Sequence, residues 1–410
     1  NALTTGFLVT FLALELGAKP LSISVILALQ STVGLLRLAT PALVNWFGST
    51  RRTCLVMSLV SYGLIALLPL SPFVGHRVQG IDPVWVMIAI LGAHQLFEYL
   101  GAVALWSWFG ALVPSRVRGR FFARRNLWQM IVVTIVTPGS GWFVDQWKLA
   151  YPTEDAKLWG YAIVLALGAA ALLASLVPLV GLPAIELPRR SEPVSSSRGW
   201  QWSSFVQPWL DRRFRPLLIF IAWFSFSNGL TQTAQNIFPR AVLELSLTTS
   251  LLMVTTMRVG QAAVSLPVGR LSDRWGNRMI LIVSQACIAL GLVFYAAASR
   301  ESPVWLWGAW IVWIAFAGHN ICLNNLMLRL APSTGNTPHV AMYFVVSGVV
   351  LALSTLLGGW LLDAGQAQIA AGAWSIDRAE WFRANFLFGC ILRLFGVAFL
   401  WQIVEPRRSR

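Results

Sequence analysis

Charge is what this chain has least of. Only 11% of its 410 residues are Asp, Glu, Lys or Arg, where a soluble globular chain carries about 25%. That deficit excludes a soluble enzyme, a nucleic-acid-binding protein and a disordered chain. Cysteine is scarce too: Cys54, Cys287, Cys322 and Cys390 each sit inside an apolar run. Such placement argues against a disulfide framework or a zinc site. The chain also lacks a P-loop, a redox motif, a Ser/His/Asp arrangement and a metal-hydrolase signature. No catalytic residues, cofactor or metal are therefore expected, and neither an ATP-driven pump nor a membrane enzyme fits.

Apolar residues are abundant. They make up 57% of the chain, which provides for about ten to fourteen spans of about 20 residues. Reading the apolar runs between polar and Pro/Gly punctuation gives twelve: 1–17, 22–47, 53–74, 83–113, 125–147, 158–183, 216–240, 248–271, 279–299, 303–331, 339–363 and 384–404. A polar connection at 184–215 divides them, predicting an N-terminal six-helix bundle over 1–183 and a C-terminal one over 216–410. The net charge of +15 has a simple source. With the linker and the C-terminus placed in the cytoplasm, most Lys and Arg fall on that side, the bias of cytoplasmic loops. No nucleic-acid partner is needed. Arg116, Arg118, Arg120, Arg124 and Arg125 suit the anionic headgroups of a lipid bilayer. Trp147, Trp159, Trp305 and Trp381, near run ends, suit an aromatic belt.

The two halves repeat. Leu112-Val113-Pro114-Ser115 recurs as Leu330-Ala331-Pro332-Ser333, and Gly141-Trp142-Phe143-Val144-Asp145 as Gly359-Trp360-Leu361-Leu362-Asp363, both 218 residues on. Glu186-Leu187-Pro188-Arg189 parallels Glu405-Pro406-Arg407-Arg408. Asn45-Trp46-Phe47-Gly48 aligns with Asp273-Arg274-Trp275-Gly276 at 228, the extra residues lying in the loop near 74–83. Four matches in order predict a duplicated six-helix unit. The same offset sets Asn1 opposite Gly229, so the first helix is expected to be truncated at its N-terminus.

Between the eighth and ninth runs stands Gly269-Arg270-Leu271-Ser272-Asp273-Arg274-Trp275-Gly276-Asn277-Arg278. It resembles the G-x-L-x-D-R-x-G-x-[RK] signature of the major facilitator superfamily, and the six-plus-six pattern extends the resemblance over the whole chain. The resemblance implies an all-α membrane protein: twelve transmembrane helices in two pseudo-symmetric six-helix bundles. It also implies a cytoplasmic gate at Gly269, Asp273, Arg274, Gly276 and Arg278. A glycine at helical depth admits a close neighbour, and a membrane-edge acid needs an arginine or a helix N-terminus. The first-half copy has Pro41 and Asn45 in place of Gly269 and Asp273 but keeps Arg51 and Arg52. An uncharged Asn45 cannot make the same ion pair.

In this family the first, fourth, seventh and tenth helices line the central cavity. On the seventh run Ser225, Asn228, Gln232 and Gln235 share one helical face. They suit substrate binding, or hydrogen-bond glue between helices. On the tenth, His319, Asn320 and Asn324 also suit substrate binding, the rival for His319 being a satisfied packing histidine. On the fourth run His94 and Glu98 are spaced i,i+4 and suit proton coupling, or a static neutral pair. Arg37, Arg258 and Arg393 fall in mid-run. They favour an anionic solute, or pair with carbonyls and Glu98. Asp145 and Asp363 are expected to meet external loops or helix ends.

The expected function is secondary active transport of a small solute, an organic anion among the candidates, by alternating access with proton coupling. The expected setting is a bacterial inner membrane. The rival is a structural or assembly subunit of a larger membrane complex with no transport activity.

Overall fold

The computed structural model describes residues 6–32, 40–74, 82–112, 115–183, 202–332 and 337–405. Among these residues there are helices and no strand. Hydrocarbon offers the backbone no partner, so a chain this apolar must bond its N–H and C=O groups within each segment.

The helices follow the twelve apolar runs. The first is α1 (Phe7–Glu15) and the second holds α2 (Pro20–Thr32) and α3 (Thr40–Phe47). The third is α4 (Thr50–Ile65), closed by a 3₁₀ turn at Leu68–Phe73, and the fourth is α5 (Pro83–Leu112). The fifth is α6 (Ser115–Ala150) and the sixth α7 (Glu154–Ala174) with α8 (Leu176–Val180). The connection read as a linker carries a short helix, α9 (Trp202–Leu210). Then come α10 (Arg215–Ala241), α11 (Leu247–Trp275) and α12 (Asn277–Ala297). The tenth run is broken into α13 (Val304–Val312) and α14 (Phe316–Leu330) by a 3₁₀ turn at Trp313–Ala315. The last two are α15 (Thr337–Ala370) and α16 (Arg378–Trp401).

Eight of these stretches are long and apolar enough to cross a membrane. α10 has the length, with 27 residues, but is not one of them. Its stripe of Ser, Asn, Thr and Gln lowers its mean hydropathy. α6 starts at Ser115, well before the predicted 125. A helix need not stop where hydrocarbon does, and the arginine-rich stretch is helical in backbone. The side chains of 113–127, the arginine cluster included, lie outside the described residues. α16 starts at Arg378 with Asp377 as N-cap, its carboxylate accepting from the Glu380 N–H at 2.6 Å. Glu380 returns a bond from the Asp377 N–H at 3.1 Å, completing a capping box.

Contacts divide the chain into two units, 1–193 with 245–252, and 194–244 with 253–410. In the first, Cys54, Ala104 and Trp108 form a buried core between α4 and α5. In the second, Phe214, Leu217, Phe220 and Ile221 of the α10 segment pack with Leu323, Leu326 and Met327 of α14. α10 and α15 cross closely because each offers a glycine. A Cβ on Gly229 would strike Ser354 and Leu351, and one on Gly358 would strike the Leu230 carbonyl.

The repeat extends to backbone geometry. Gly48 and Gly276, aligned in the sequence, have φ of 66° and 90°. Both precede a helix, and the left-handed region favours glycine there. Arg51 then donates to the Val180 carbonyl at 2.5 Å, and Arg278 to the Ile403 carbonyl at 3.2 Å. In each half an arginine at the head of the third helix ties down the end of the sixth.

Two substitutions test this packing. Gly358→Ala forces α10 and α15 apart and should destabilise the chain by about 1–3 kcal/mol, the range for overpacking, read as a lower unfolding temperature in detergent. Gly276→Ala places a Cβ at positive φ and 3.0 Å from Glu405. It should cost at least about 1–2 kcal/mol in the same assay, whereas Gly269→Ala, which meets nothing within 4 Å, should be tolerated in this conformation.

Candidate functional site

In the first unit, α4 and α5 set three polar side chains against one another. His94 is completely buried on α5. Its Nε2 lies 3.0 Å from Glu98 Oε2, one turn on, and Glu98 keeps 23% of its side-chain surface exposed. The contact is a close approach that falls short of an aligned hydrogen bond. On the other side of the ring, Nδ1 lies 2.8 Å from Ser61 Oγ and 3.0 Å from the Ser61 carbonyl. Ser61 Oγ also donates to the His94 carbonyl at 3.0 Å. The sequence brought His94 and Glu98 together through helical spacing. Ser61, 33 residues away, carried no signal. Beside this group Gly6, Val9, Thr10, Ile26, Leu27 and Leu91 line a small apolar cleft with Gln95 on its wall.

At the other end of this unit Asp145 behaves as a helix-end partner. It accepts from the Leu247 and Thr248 N–H groups at 3.4 and 2.9 Å and from the Thr248 hydroxyl at 2.6 Å. These are otherwise unbonded donors in the first turn of α11, where a carboxylate is favoured. Lys148 meets Glu15 at 2.7 Å and the Tyr161 hydroxyl at 2.9 Å. That pairs one of the few acids of the apolar runs.

In the second unit the α10 stripe is half-buried and partly engaged. Ser225 Oγ lies 3.1 Å from Ser347 Oγ, and Thr355 Oγ1 donates to Gln232 Oε1 at 3.2 Å. These two serve as glue to α15. Gln235 Nε2 donates to Thr231 Oγ1 at 2.6 Å. Asn228 Oδ1 accepts from Arg393 Nη2 at 2.8 Å. Arginine only donates, so this contact fixes the amide: the oxygen faces Arg393 and the nitrogen faces away. Arg393 itself has no exposed surface. It also donates to Thr231 Oγ1 at 3.1 Å and the Ile288 carbonyl at 3.4 Å. A buried charge needs such partners, and here they are neutral: two side-chain oxygens and one backbone carbonyl.

The tenth run divides its predicted residues. Asn320 and Asn324 are exposed on α14, whereas His319 is buried among Phe220, Phe224 and Phe316, with ring centroids 4.1 Å apart for Phe224. Among the described residues neither His319 nitrogen has a hydrogen-bond partner, so His319 does not join the two asparagines on one open face. At the 3₁₀ turn the Trp313 carbonyl, which accepts the Phe316 N–H, also accepts from Gln261 Nε2 of α11 at 3.2 Å. Arg258 is exposed on α11. Arg37 lies outside the described residues, as do the side chains of Asn45 and Asp273.

The signature is organised around a residue the sequence reading used only as a repeat marker. Glu405 Oε1 accepts from Asn277 Nδ2 at 2.7 Å and Arg329 Nη1 at 2.8 Å. The Arg278 N–H reaches its other oxygen at 3.2 Å. Glu405 thus caps α12 and gathers the ends of α14 and α16. Arg274 is exposed, and among the described residues nothing lies within 4 Å of a Cβ on Gly269, so none of them is the close neighbour expected there. Among the described residues no three His, Cys, Asp or Glu stand close enough to hold a metal.

This arrangement matches known proteins. The model of the Major Facilitator Superfamily matches residues 1–335 and 238–410. A 150-residue stretch is 25% identical to the uncharacterized MFS-type transporter YfiU of Bacillus subtilis (strain 168), covering 36% of this chain and 27% of that protein. The chain thus spans about a quarter of that relative's length. Among solved structures, the nucleoside transporter NupG is similar over 98% of this chain and 95% of that one, with TM-score 0.66 and 12% identity. The inward-open xylose transporter XylE from E. coli covers 95% and 88%, with TM-score 0.65 and 12% identity. At such identities the likeness is one of fold. With the family model running the length of the chain, the protein belongs to the major facilitator superfamily and is an integral membrane protein with the fold of its transporters.

Proposed function

We propose that this protein is a proton-coupled secondary transporter of a small polar solute, working by alternating access with its linker and C-terminus in the cytoplasm of a bacterial cell. Secondary transport follows from the family and from the nucleoside and xylose transporters that share the fold. The observation that carries the coupling is the 3.0 Å approach of His94 Nε2 to Glu98 Oε2 on α5. An imidazole and a partly exposed carboxyl in contact can hold one proton between them, and desolvation or exposure shifts which protonation state is favoured. Opening and closing the cavity changes that exposure, as coupling requires.

The solute is assigned to the half-buried face of α10. Asn228 presents its amide N–H groups, since its oxygen belongs to Arg393. A group that accepts hydrogen bonds is complementary to it, a carboxylate among them. Arg393 is buried inside its unit, with its Nη groups on Asn228, Thr231 and the Ile288 carbonyl, so a preference for anions rests on the exposed Arg258. Asn320 and Asn324 offer further polar contacts from α14. The gate assignment to Asp273 and its neighbours stands on the signature and on the capping of α12 by Glu405.

Glu98→Gln is the direct test. The amide imitates the protonated carboxyl, so proton movement should stop while solute exchange continues. Proteoliposomes enclosing a pH-sensitive dye would be given xylose, uridine, a dipeptide and succinate in turn. The wild type should move protons with one of these classes, and Glu98→Gln should reduce that flux at least tenfold while retaining counterflow. Counterflow without proton movement in the wild type, or undiminished proton flux in the variant, would remove Glu98 from the coupling role.

A further inference from the structure

We infer that Ser61 is a positioning residue that holds the His94 ring in its Nδ1–H form, so that the ring gains and loses its exchangeable proton at Nε2, toward Glu98. This role rests on reading His94 and Glu98 as the proton site. The geometry favours one assignment of hydrogens. The Ser61 carbonyl can only accept, so an Nδ1 at 3.0 Å from it must carry a hydrogen. The Ser61 hydroxyl donates to the His94 carbonyl at 3.0 Å, so its lone pairs face the same Nδ1–H at 2.8 Å. The opposite tautomer would turn the one Ser61 hydroxyl hydrogen onto a bare Nδ1, give up its bond to the His94 carbonyl, and set the Nδ1 lone pair against the Ser61 carbonyl oxygen in a completely buried site.

The consequence falls on the other nitrogen. A neutral ring with its hydrogen on Nδ1 has its lone pair on Nε2, 3.0 Å from Glu98 Oε2. A proton arriving at the pair can reside on Nε2 or on the carboxyl, and in either case it lies on the Glu98 side of the ring. Deprotonating both groups would leave two acceptors in contact, so that state favours separation. Ser61 thereby turns two titrating residues into one directed site.

Among the described residues, the surroundings leave few competitors. α2, α3, α4 and the 3₁₀ turn at Leu68–Phe73 pack against α5. α2, α3 and the turn contain no Asp, Glu, Lys, Arg, His, Cys or Tyr. From α4, Tyr62 acts on Glu98 electrostatically, and Cys54 acts on Tyr62. Arg51 donates to the Val180 carbonyl, and Arg52 is the remaining cation of that helix. On α5 itself the titratable neighbour is Tyr99. None of these supplies Nδ1 with a partner in place of Ser61.

The test reads the tautomer directly. The full chain, labelled with ¹⁵N-histidine and held in lipid nanodiscs, would be examined by two-bond ¹H–¹⁵N correlation, with His94 among the four histidines identified through His94→Gln. As pH is raised, the neutral His94 ring should show its hydrogen on Nδ1. Ser61→Ala should raise the Nε2–H form several-fold and shift the pH midpoint of the ring, and Ser61→Thr should restore the wild-type pattern. A neutral Nε2–H ring in the wild type would overturn the proposal, as would an unchanged tautomer and midpoint in Ser61→Ala. Should Ser61→Ala fail to fold, the wild-type spectrum decides alone. The lock and the coupling role fail separately. An Nδ1–H ring beside undiminished proton flux in Glu98→Gln upholds the lock and removes the coupling, whereas a neutral Nε2–H ring removes the lock whatever Glu98→Gln does.

Discussion

Within the hydrocarbon layer, a polar group that meets neither a protein partner nor a water-filled cavity has no partner at all. Most of what is specific here answers that constraint. The backbone meets it with helices. Where the helical pattern breaks or begins, side chains add bonds: Gln261 to the Trp313 carbonyl, Asp145 to the first N–H groups of α11, and Glu405 to those of α12. Arg393 is the extreme case. Its charge is fully enclosed, and its hydrogen bonds go to Asn228, Thr231 and a carbonyl. The bonds that make it tolerable also orient Asn228, so a solution to a folding problem fixes which way that amide faces.

The same constraint gives His94 its character. In water either ring nitrogen could carry the hydrogen. Buried between Ser61 and Glu98, the ring is held by acceptors on one side and a carboxyl on the other. A static pair and a proton carrier share this geometry. What favours the carrier is the unequal exposure: His94 is enclosed and Glu98 keeps 23% of its surface. The carboxyl is the member through which a change in cavity access would be felt.

Much of the fold was legible because a membrane helix announces itself in composition. Each of the twelve apolar runs corresponds to a helix or a broken helix, and Gly48 and Gly276 share the positive φ that the aligned repeat implies. Errors fell where composition and structure part. The arginine-rich stretch after Ser115 reads as loop because it is charged, yet its backbone is helical. The start of α16 was legible as Asp377-Arg378-Ala379-Glu380, a capping box that a search for apolar runs passes over. The site divided along the same line. His94 and Glu98 share a helix, so periodicity paired them. Ser61 to His94, Arg393 to Asn228 and Arg329 to Glu405 join residues 33, 165 and 76 positions apart. No local pattern links such positions.

The central claim is that His94 and Glu98 together hold an exchangeable proton. Counting protons tests it without knowing the solute. The purified protein in nanodiscs, wild type and Glu98→Gln, would be titrated across the range in which imidazoles and carboxyls ionise, and the protons released per chain compared. The account predicts one proton fewer from the variant, with the missing release falling in the interval where the wild-type His94 signals change. Equal release from both proteins, with His94 titrating identically, would contradict it.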